Sequence, residues 1–505
     1  MKVEIMDTTL RDGEQTQGVA FTPLEKLHLA SFLLKELGVN RIEIASARVS
    51  EGEFKAAKKI VDWAKENGFH NNVEVLGFVD GDTSLNWIND AGGKVINLLS
   101  KGSYKHLTKQ LKKTPGQHLD DIKNVIDKAV GLGIDVNIYL EDWSNGMLNS
   151  EEYVFFMLDS LQKFNIKRFM LPDTLGVLNP EQSYELIKKI TVRYPDLWFD
   201  FHAHNDYDLA VANTFEAVRA GVKGIHVTVN GLGERAGNAP LSSVVAVIHD
   251  HLGFKTDVKE NKINRISRFV ETFSGIRIPF NKPVIGESVF TQTSGVHADG
   301  DNKDNLYFNR LLPERFGRKR VYALGKLSGK ANIEKNLQEI GLNLTAESLK
   351  KVTKRVIELG DKKETVTPED LPFIISDVLR NGNNDKKVAI KNYALSISAA
   401  MKPVASVQVE IDGKEHEEAS SGDGQYDAFM NALWNIYKRL GKPHPVLKNY
   451  RVSIPPGGKT DALVETRITW DYAGKQIVTK GLDADQTVSA IKATERMLNI
   501  IENVY

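Results

Sequence analysis

The chain has no cysteine in 505 residues, which excludes disulfides, thiolate metal sites and a cysteine nucleophile. Any metal would be held by His, Asp, Glu, Asn or backbone oxygen. It has no charge excess either: 66 Lys+Arg balance 66 Asp+Glu, so no net field draws it to nucleic acid or an anionic membrane. No apolar run approaches the roughly 20 residues of a membrane helix. The first residues, MKVEIMDTTLRDG, enter a strand pattern at once, without the layout of a signal peptide. What remains is the expectation of a soluble, cytoplasmic protein with 41% hydrophobic and 26% charged residues. Its length allows two or three domains.

Residues 1–255 alternate between two textures. β-rich runs stand at Val3–Thr8, Arg41–Ala45, Val73–Val79, Val95–Leu99, Asp135–Leu140, Arg168–Leu171, Trp198–His202 and Gly224–Val229. Between them lie segments with apolar residues at three- and four-residue spacing, several closed by a glycine: Gly38, Gly68, Gly133, Gly221 and Gly253. Strand–helix alternation implies a parallel sheet covered by helices, and eight units in about 250 residues predict an α/β fold of the (β/α)8 TIM-barrel type. An open doubly wound sheet is the alternative, but no GxGxxG turn follows the first strand.

In a barrel, catalytic groups gather at the carboxyl ends of the strands. The unusual polar residues of this chain stand there. Strand 1 runs out into TTLRDGEQ, strand 5 into YLED, strand 6 into PDT, strand 7 into HAHND and strand 8 into NGLGERAGN. His202 and His204 are two residues apart and face the same way, so they can share one ion. Alone, that spacing is equally served by a histidine bonding a loop carbonyl. Asp12 and Asn238, however, arrive from strands 1 and 8, close to strand 7 once the barrel shuts. Two imidazoles and two oxygens suit Mg, Mn, Co or Zn, and the oxygen share favours Mg or Mn.

TLRDGEQ, LPDTLG, HAHND, NGLGERAGN and TSGVHADG together resemble the motif set of the isopropylmalate, homocitrate and citramalate synthases, in the family's order from Thr9 to Gly300. The resemblance implies a metal-dependent barrel that condenses acetyl-CoA with a 2-oxo acid. It makes Asp12, His202, His204 and Asn238 the metal ligands, and places Arg11, Glu141, Thr174 and His297 at catalytic and substrate-binding positions. The chemistry agrees. A metal polarises the keto carbon, and Arg11 can offset the charge of an enolate; a structural ion pair is the alternative. Glu141 is a base or orients a water that acts as one, unless it is a rim carboxylate already satisfied by its neighbours. His297, in the polar stretch QTSGVHADGDNKDN, is read as a group delivered by a lid loop, or else as a solvated histidine. Thr174 bonds the substrate carboxylate.

Leu76, Leu99 and Tyr139 are expected to wall the substrate side chain, unless they only fill the barrel. Bulky apolar walls without a cation favour the methyl of pyruvate over an isopropyl group or a second carboxylate. LGFVDG, NLLSKGS and YLEDWSNG likewise resemble the pyruvate-using branch, whose product is citramalate for isoleucine synthesis, more than the 2-oxoisovalerate-using branch that serves leucine. Two rivals keep parts of this reading: an acyl-CoA lyase running the reverse chemistry, and a non-catalytic metabolite sensor. The first generally lacks a long C-terminal half. The second would not be expected to keep the whole polar set.

Three domains are expected: a catalytic barrel over 1–255, helical linker subdomains with the lid loop over 256–383, and an α+β regulatory domain over 384–505. The basic stretch Glu314–Ile333 is either a contact for the CoA phosphates or a solvated connector. Arg380–Lys387 (RNGNNDKK) has linker composition. After it, NYALSI at Asn392–Ile397 returns as NYRVSI at Asn449–Ile454, each followed by two strand-like runs and a helix. This βββα repeat resembles the family's amino-acid-sensing and dimerisation domain, which implies a homodimer and an isoleucine or leucine effector. The loop Ser420–Ala428 is a candidate effector seat.

Overall fold

The computed structural model describes residues 1–339, 341–361, 366, 368–379, 387–453 and 464–504. The chain forms two units: Met1–Phe290 with Phe308–Arg320, and Thr291–Tyr307 with Val321–Tyr505.

The first unit is a closed parallel barrel of β1 (Glu4–Asp7), β2 (Arg41–Ser46), β3 (Val73–Phe78), β4 (Val95–Lys101), β5 (Asp135–Glu141), β6 (Ile166–Asp173), β7 (Phe199–Ala203) and β8 (Gly224–Val227). β1 closes on β8, with Glu4 opposite Gly224 and Asp7 opposite Val227. β6 is longer than its sequence pattern, running through Pro172 to Asp173. Pro172 is tolerated because the last β5 pairing is Tyr139 with Met170, so its missing N–H faces no β5 partner.

Alternation divides the strands into two populations. The outward set, including Ile42, Ile44, Val73, Val75, Ile96 and Leu98, is buried against the helices and forms the main core. Each such side chain contributes about 1.5–3 kcal/mol by leaving water. The inward set is polar in its lower layers: Arg41 bonds Glu74 and Asp200, and Glu43, Asn97 and Asn137 form a hydrogen-bonded row. Three of the covering helices start with a proline inside a capping box, Thr22 with Glu25, Thr114 with Gln117 and Asn179 with Gln182. The five glycines that read as helix stops all have positive φ, from 64° at Gly253 to 110° at Gly221.

In the second unit, Thr291–Gln292 and Val321–Tyr322 pair in parallel, and helices Lys330–Glu339, Ala346–Asp361 and Leu371–Leu379 share a small core around Ile333, Val352 and Val356. The stretch around His297 is not a loop: Gly295–Asn302 is a helix. The glycines that suggested a loop serve close packing instead. A Cβ on Gly295 would lie 2.5 Å from the Gly329 backbone, and one on Gly300 would lie 2.4 Å from the Tyr307 ring.

The repeat is structural as well. Strands Val388–Ser398, Met401–Ile411 and Lys414–Ser421 lead to helix Gln425–Arg439, and strands Val446–Ser453, Val464–Tyr472 and Lys475–Asp483 lead to helix Gln486–Val504. Both sheets are antiparallel meanders, and both break register just before the repeated Asn-Tyr, at Ile390/Asn392 and Leu447/Asn449. An inserted residue at the same place in each copy is the signature of a retained β-bulge. Val407, Phe429, Leu433, Trp470, Ile491 and Met497 belong to one shared core. Residues 380–386 of the expected linker and Ile454 lie outside the described residues. Among the described residues no helix is long and apolar enough to cross a membrane.

Candidate active site

The turn after β1 is built around one carbonyl. Thr8 O accepts the N–H groups of Arg11, Asp12 and Gly13 at 3.1, 2.8 and 3.1 Å. Beneath it the fully buried Lys26 donates to Leu10 O at 3.0 Å and pairs with Glu14 and Glu53, both at 2.6 Å. The turn is sewn to the loop after β8: the Thr9 hydroxyl accepts from Val229 N at 2.8 Å, and Thr16 Oγ1 accepts from Gly233 N at 2.8 Å. Arg11 and Asp12 are therefore held rigidly over the barrel mouth.

Asp12 meets the two histidines there. Its Oδ2 lies 3.3 Å from His202 Nε2 and 3.9 Å from His204 Nε2. One ligand atom from each of the three lies within 4.8 Å of the others, and among the described residues they are the one such group of buried metal-ligating side chains. Asn238 is bridged to His204 through the backbone. Its Nδ2 donates to Leu232 O at 3.2 Å, which fixes the amide, while its Oδ1 is buried without a hydrogen-bond partner. Asp12 Oδ1 is buried and unpartnered too. Orphaned acceptors beside two imidazoles are what a divalent cation would satisfy, since buried polar groups are otherwise paired.

Protonation favours the same use. Burial, with His202 alongside, pushes the His204 imidazole down to about 4, so it is neutral at pH 7 as a ligand must be. Burial alone would raise Asp12, but Arg11 and His202 outweigh it and hold the carboxyl well below its ordinary range. Two glycines of NGLGERAGN make room for the ligand: a Cβ on Gly233 would stand 2.1 Å from Asn238 Nδ2, and one on Gly237 would stand 2.0 Å from Gly231 O. Arg235 ties three loops together, with Asp206 at 2.8 and 3.0 Å and Thr174 O at 2.8 Å. Asn205 accepts from Ala210 N at 3.1 Å, so HAHND ends in residues that hold loops.

Arg11 is oriented from below. Its Nε donates to Glu43 at 2.5 Å and its Nη1 to Asp12 Oδ2 at 3.1 Å, while Glu43 also accepts from Asn97 at 2.7 Å. Tyr139 is pinned from the same side. Its hydroxyl lies 3.1 Å from His226 Nδ1, and His226 Nε2 lies 3.3 Å from Asp200 Oδ2. Burial lowers His226 to about 3 despite Asp200 and keeps the Tyr139 phenol protonated. The order of donation is then Tyr139 O–H to Nδ1, and Nε2–H to Asp200. The hydroxyl is thus taken up in the bore, and the guanidinium of Arg11 stands 6.0 Å from the ring centroid.

These groups surround a cavity of about 210 Å³ whose lining includes Arg11, Asp12, Leu76, Leu99, Tyr139, Glu141, Thr174, His202 and His204. That is below the roughly 300–1,000 Å³ of sites for drug-sized ligands, so it suits a small substrate. Leu76, Tyr139, Met6 and Met170 form a separate buried cluster, with Leu99 packed on it. The Thr174 hydroxyl accepts from Asp142 N at 2.9 Å, which leaves its proton free to donate. Glu141 is ion-paired to Lys101. Lys101 lies on the face of β4 that carries Asn97 and Leu99, yet it does not line the cavity. Period-two alternation could have found it, as it could have found Glu43, two residues beyond the inward Arg41. The same alternation places His226 inward, between Ile225 and Val227 of β8, whereas Arg235 lies in a loop and carried no such signal. His297 belongs to the second unit, where its Nδ1 lies 3.1 Å from Gln292 Oε1 and its ring 4.1 Å from that of Tyr307.

Both the barrel and the C-terminal half have known relatives. A family model described as HMGL-like matches residues 2–270, one described as homocitrate synthase post-HMGL domain-like matches 284–364, and one described as LeuA allosteric (dimerisation) domain matches 365–502. An (R)-citramalate synthase of Methanocaldococcus jannaschii is 34% identical over 510 residues, covering 100% of both chains. A 2-isopropylmalate synthase of the same organism is 33% identical over 512 residues, covering 99% of this chain and 95% of the relative.

Proposed function

The chain belongs to the HMGL-like family as an acetyl-CoA-condensing transferase, and from that premise we propose that it joins acetyl-CoA to pyruvate, giving (R)-citramalate and CoA. The carrying observation is the small cavity in which an apolar wall of Leu76, Leu99 and Tyr139 shares one lining with Asp12, His202 and His204. The pyruvate methyl fits against that wall, whereas an isopropyl group must displace it. The near-equal identity to a 2-isopropylmalate synthase makes 2-oxoisovalerate the second substrate to test.

Asp12, His202, His204 and Asn238 would hold a divalent cation, Mg or Mn by their oxygen share, which supplies Lewis acidity towards the keto group of the 2-oxo acid. Thr174 donates its hydroxyl proton to the substrate carboxylate. Glu141, or a water it orients, takes a methyl proton from acetyl-CoA. Arg11 faces the thioester oxygen as charge grows on it. The new bond joins the methyl carbon to C2 of pyruvate, and a proton from solvent neutralises the resulting alkoxide; His297 is the acid/base group that the family resemblance suggests. Water then cleaves the thioester and frees CoA.

The C-terminal half supports dimerisation and feedback. Its family model is named for both, and Ile397, Met401 and Val446 of its sheets are exposed apolar side chains. Isoleucine is the proposed effector, with leucine its counterpart if the product is isopropylmalate, and Ser420–Ala428 is the proposed seat. The cytoplasm is the proposed location, where acetyl-CoA and 2-oxo acids meet.

Thiol release from acetyl-CoA with pyruvate, 2-oxoisovalerate and 2-oxoglutarate tests the reading. Pyruvate is expected to give the highest kcat/KM, with activity lost to EDTA and restored by Mg or Mn. A preference for 2-oxoisovalerate overturns the pocket argument and leaves the family intact. Release that survives EDTA overturns the metal site.

A further inference from the structure

Lys101 ends β4 directly opposite Glu141, which ends β5, and the two are register partners. The Lys101 side chain is only 8% exposed, and among the described residues its ammonium has one hydrogen-bond partner, Glu141 Oε2. Its backbone is fixed on both sides: the N–H donates to His118 Nε2 at 3.1 Å, and the carbonyl accepts from the Tyr153 hydroxyl at 3.0 Å. Immediately after it, Gly102 N donates to Glu141 O at 2.7 Å, and a Cβ on Gly102 would come within 2.3 Å of Leu140 O. The ends of the two strands are therefore pressed together, so the ammonium has little freedom to leave the carboxylate.

Stability gives no reason for such a pair. Drawing charges away from water is costly, and apolar residues of similar volume commonly do as well. What the pair does achieve is geometric. It takes up one oxygen of Glu141 and leaves the other to the cavity that Glu141 lines.

We propose that Lys101 is a positioning residue for Glu141: it clamps Oε2 so that Oε1 is presented to the substrate, and it acts only through that carboxylate. The proposal rests on the reading of Glu141 as the group that takes the acetyl-CoA proton, or orients the water that does. Lys101 itself does not line the cavity and touches no substrate.

The test uses the full-length, metal-loaded enzyme and thiol release with pyruvate. Lys101→Met, Lys101→Gln and Lys101→Arg are measured in the wild-type background and alongside Glu141→Gln. Lys101→Met is expected to lower kcat about 10–100-fold, a fraction of the 10²–10⁴ that a positioned base contributes. KM for pyruvate should stay within about twofold of wild type, because the group lost is not a binding group. Lys101→Arg should recover most of the loss, and adding Lys101→Met to Glu141→Gln should cost nothing further. A purely structural lysine predicts otherwise, since its loss would add to that of Glu141. Unchanged kcat, a loss confined to KM, or additive losses each overturn the proposal. Should the Met variant not fold, Lys101→Gln and Lys101→Arg carry the comparison, and equal kcat in those two overturns it. Wild-type enzyme inactive with all three 2-oxo acids overturns the functional reading itself, and the proposal with it.

Discussion

Arg11 stands between two carboxylates, Glu43 and Asp12, and beside the Tyr139 ring, so two strands and the turn after β1 determine where its charge points. Arg11→Ala should abolish thiol release while metal content, read by elemental analysis, stays at wild-type level, because Asp12 and both histidines remain. Loss of metal in that variant would contradict the assigned role. Arg11→Lys should not restore activity, since a single ammonium cannot span Glu43 and the cavity. The wall is testable at the same scale. Leu99→Ala should move the kcat/KM ratio of 2-oxoisovalerate to pyruvate upward by about 10–200-fold, the range set by a few methylenes in a pocket. An unchanged ratio would return Leu99 to barrel filling. Most of these side chains were legible from their types and spacing. Glu43 and Lys101 were overlooked because a charged residue inside a strand reads as a solvated one until its partners are seen.

Loops and strand ends carry the next level. In NGLGERAGN two glycines leave no space for a side chain, and Gly237 also has φ of 88°. Gly237→Ala is therefore expected to displace Asn238 and weaken metal binding by an order of magnitude or more, with the far-ultraviolet circular dichroism of the barrel unchanged. The segment Phe308–Arg320 is tied to the barrel unit by Arg315, which bonds Asp250 and Glu260, each at 2.7 Å. Burial would raise the Glu260 carboxyl, but hydrogen bonds from His249 and Arg315 outweigh it and lower it to about 2 from 4.5. A depressed carboxylate stabilises the fold fully above its unfolded value, and that contribution disappears as pH falls from about 4.5 to about 2. Glu260→Gln should accordingly lower the melting temperature at pH 7 and leave it nearly unchanged at pH 2, as read by thermal denaturation. Helix starts at Pro23, Pro115 and Pro180 were plain in the sequence, because a capping box is a local signal. Helix Gly295–Asn302 was not: its glycines answer to Gly329 and Tyr307, which are distant in sequence.

For the whole molecule, the barrel holds the one buried metal-ligating cluster among the described residues, and the repeated βββα domain matches a family model for an allosteric and dimerisation domain. Ending the chain after residue 383 should leave thiol release measurable and remove inhibition by isoleucine; inhibition that persists would place the effector site elsewhere. The sequence by itself determined the eight-beat alternation, the helix stops, the repeat and the residue types at the strand ends, because period, caps and turn chemistry are encoded within a few neighbouring positions. Only the tertiary structure decided how those types combine: that Asp12 stands 3.3 Å from His202, that Asn238 keeps a bare oxygen, that the Tyr139 hydroxyl is taken up by His226, and that Lys101 clamps Glu141. Each depends on segments distant in the chain that come together only as the barrel closes.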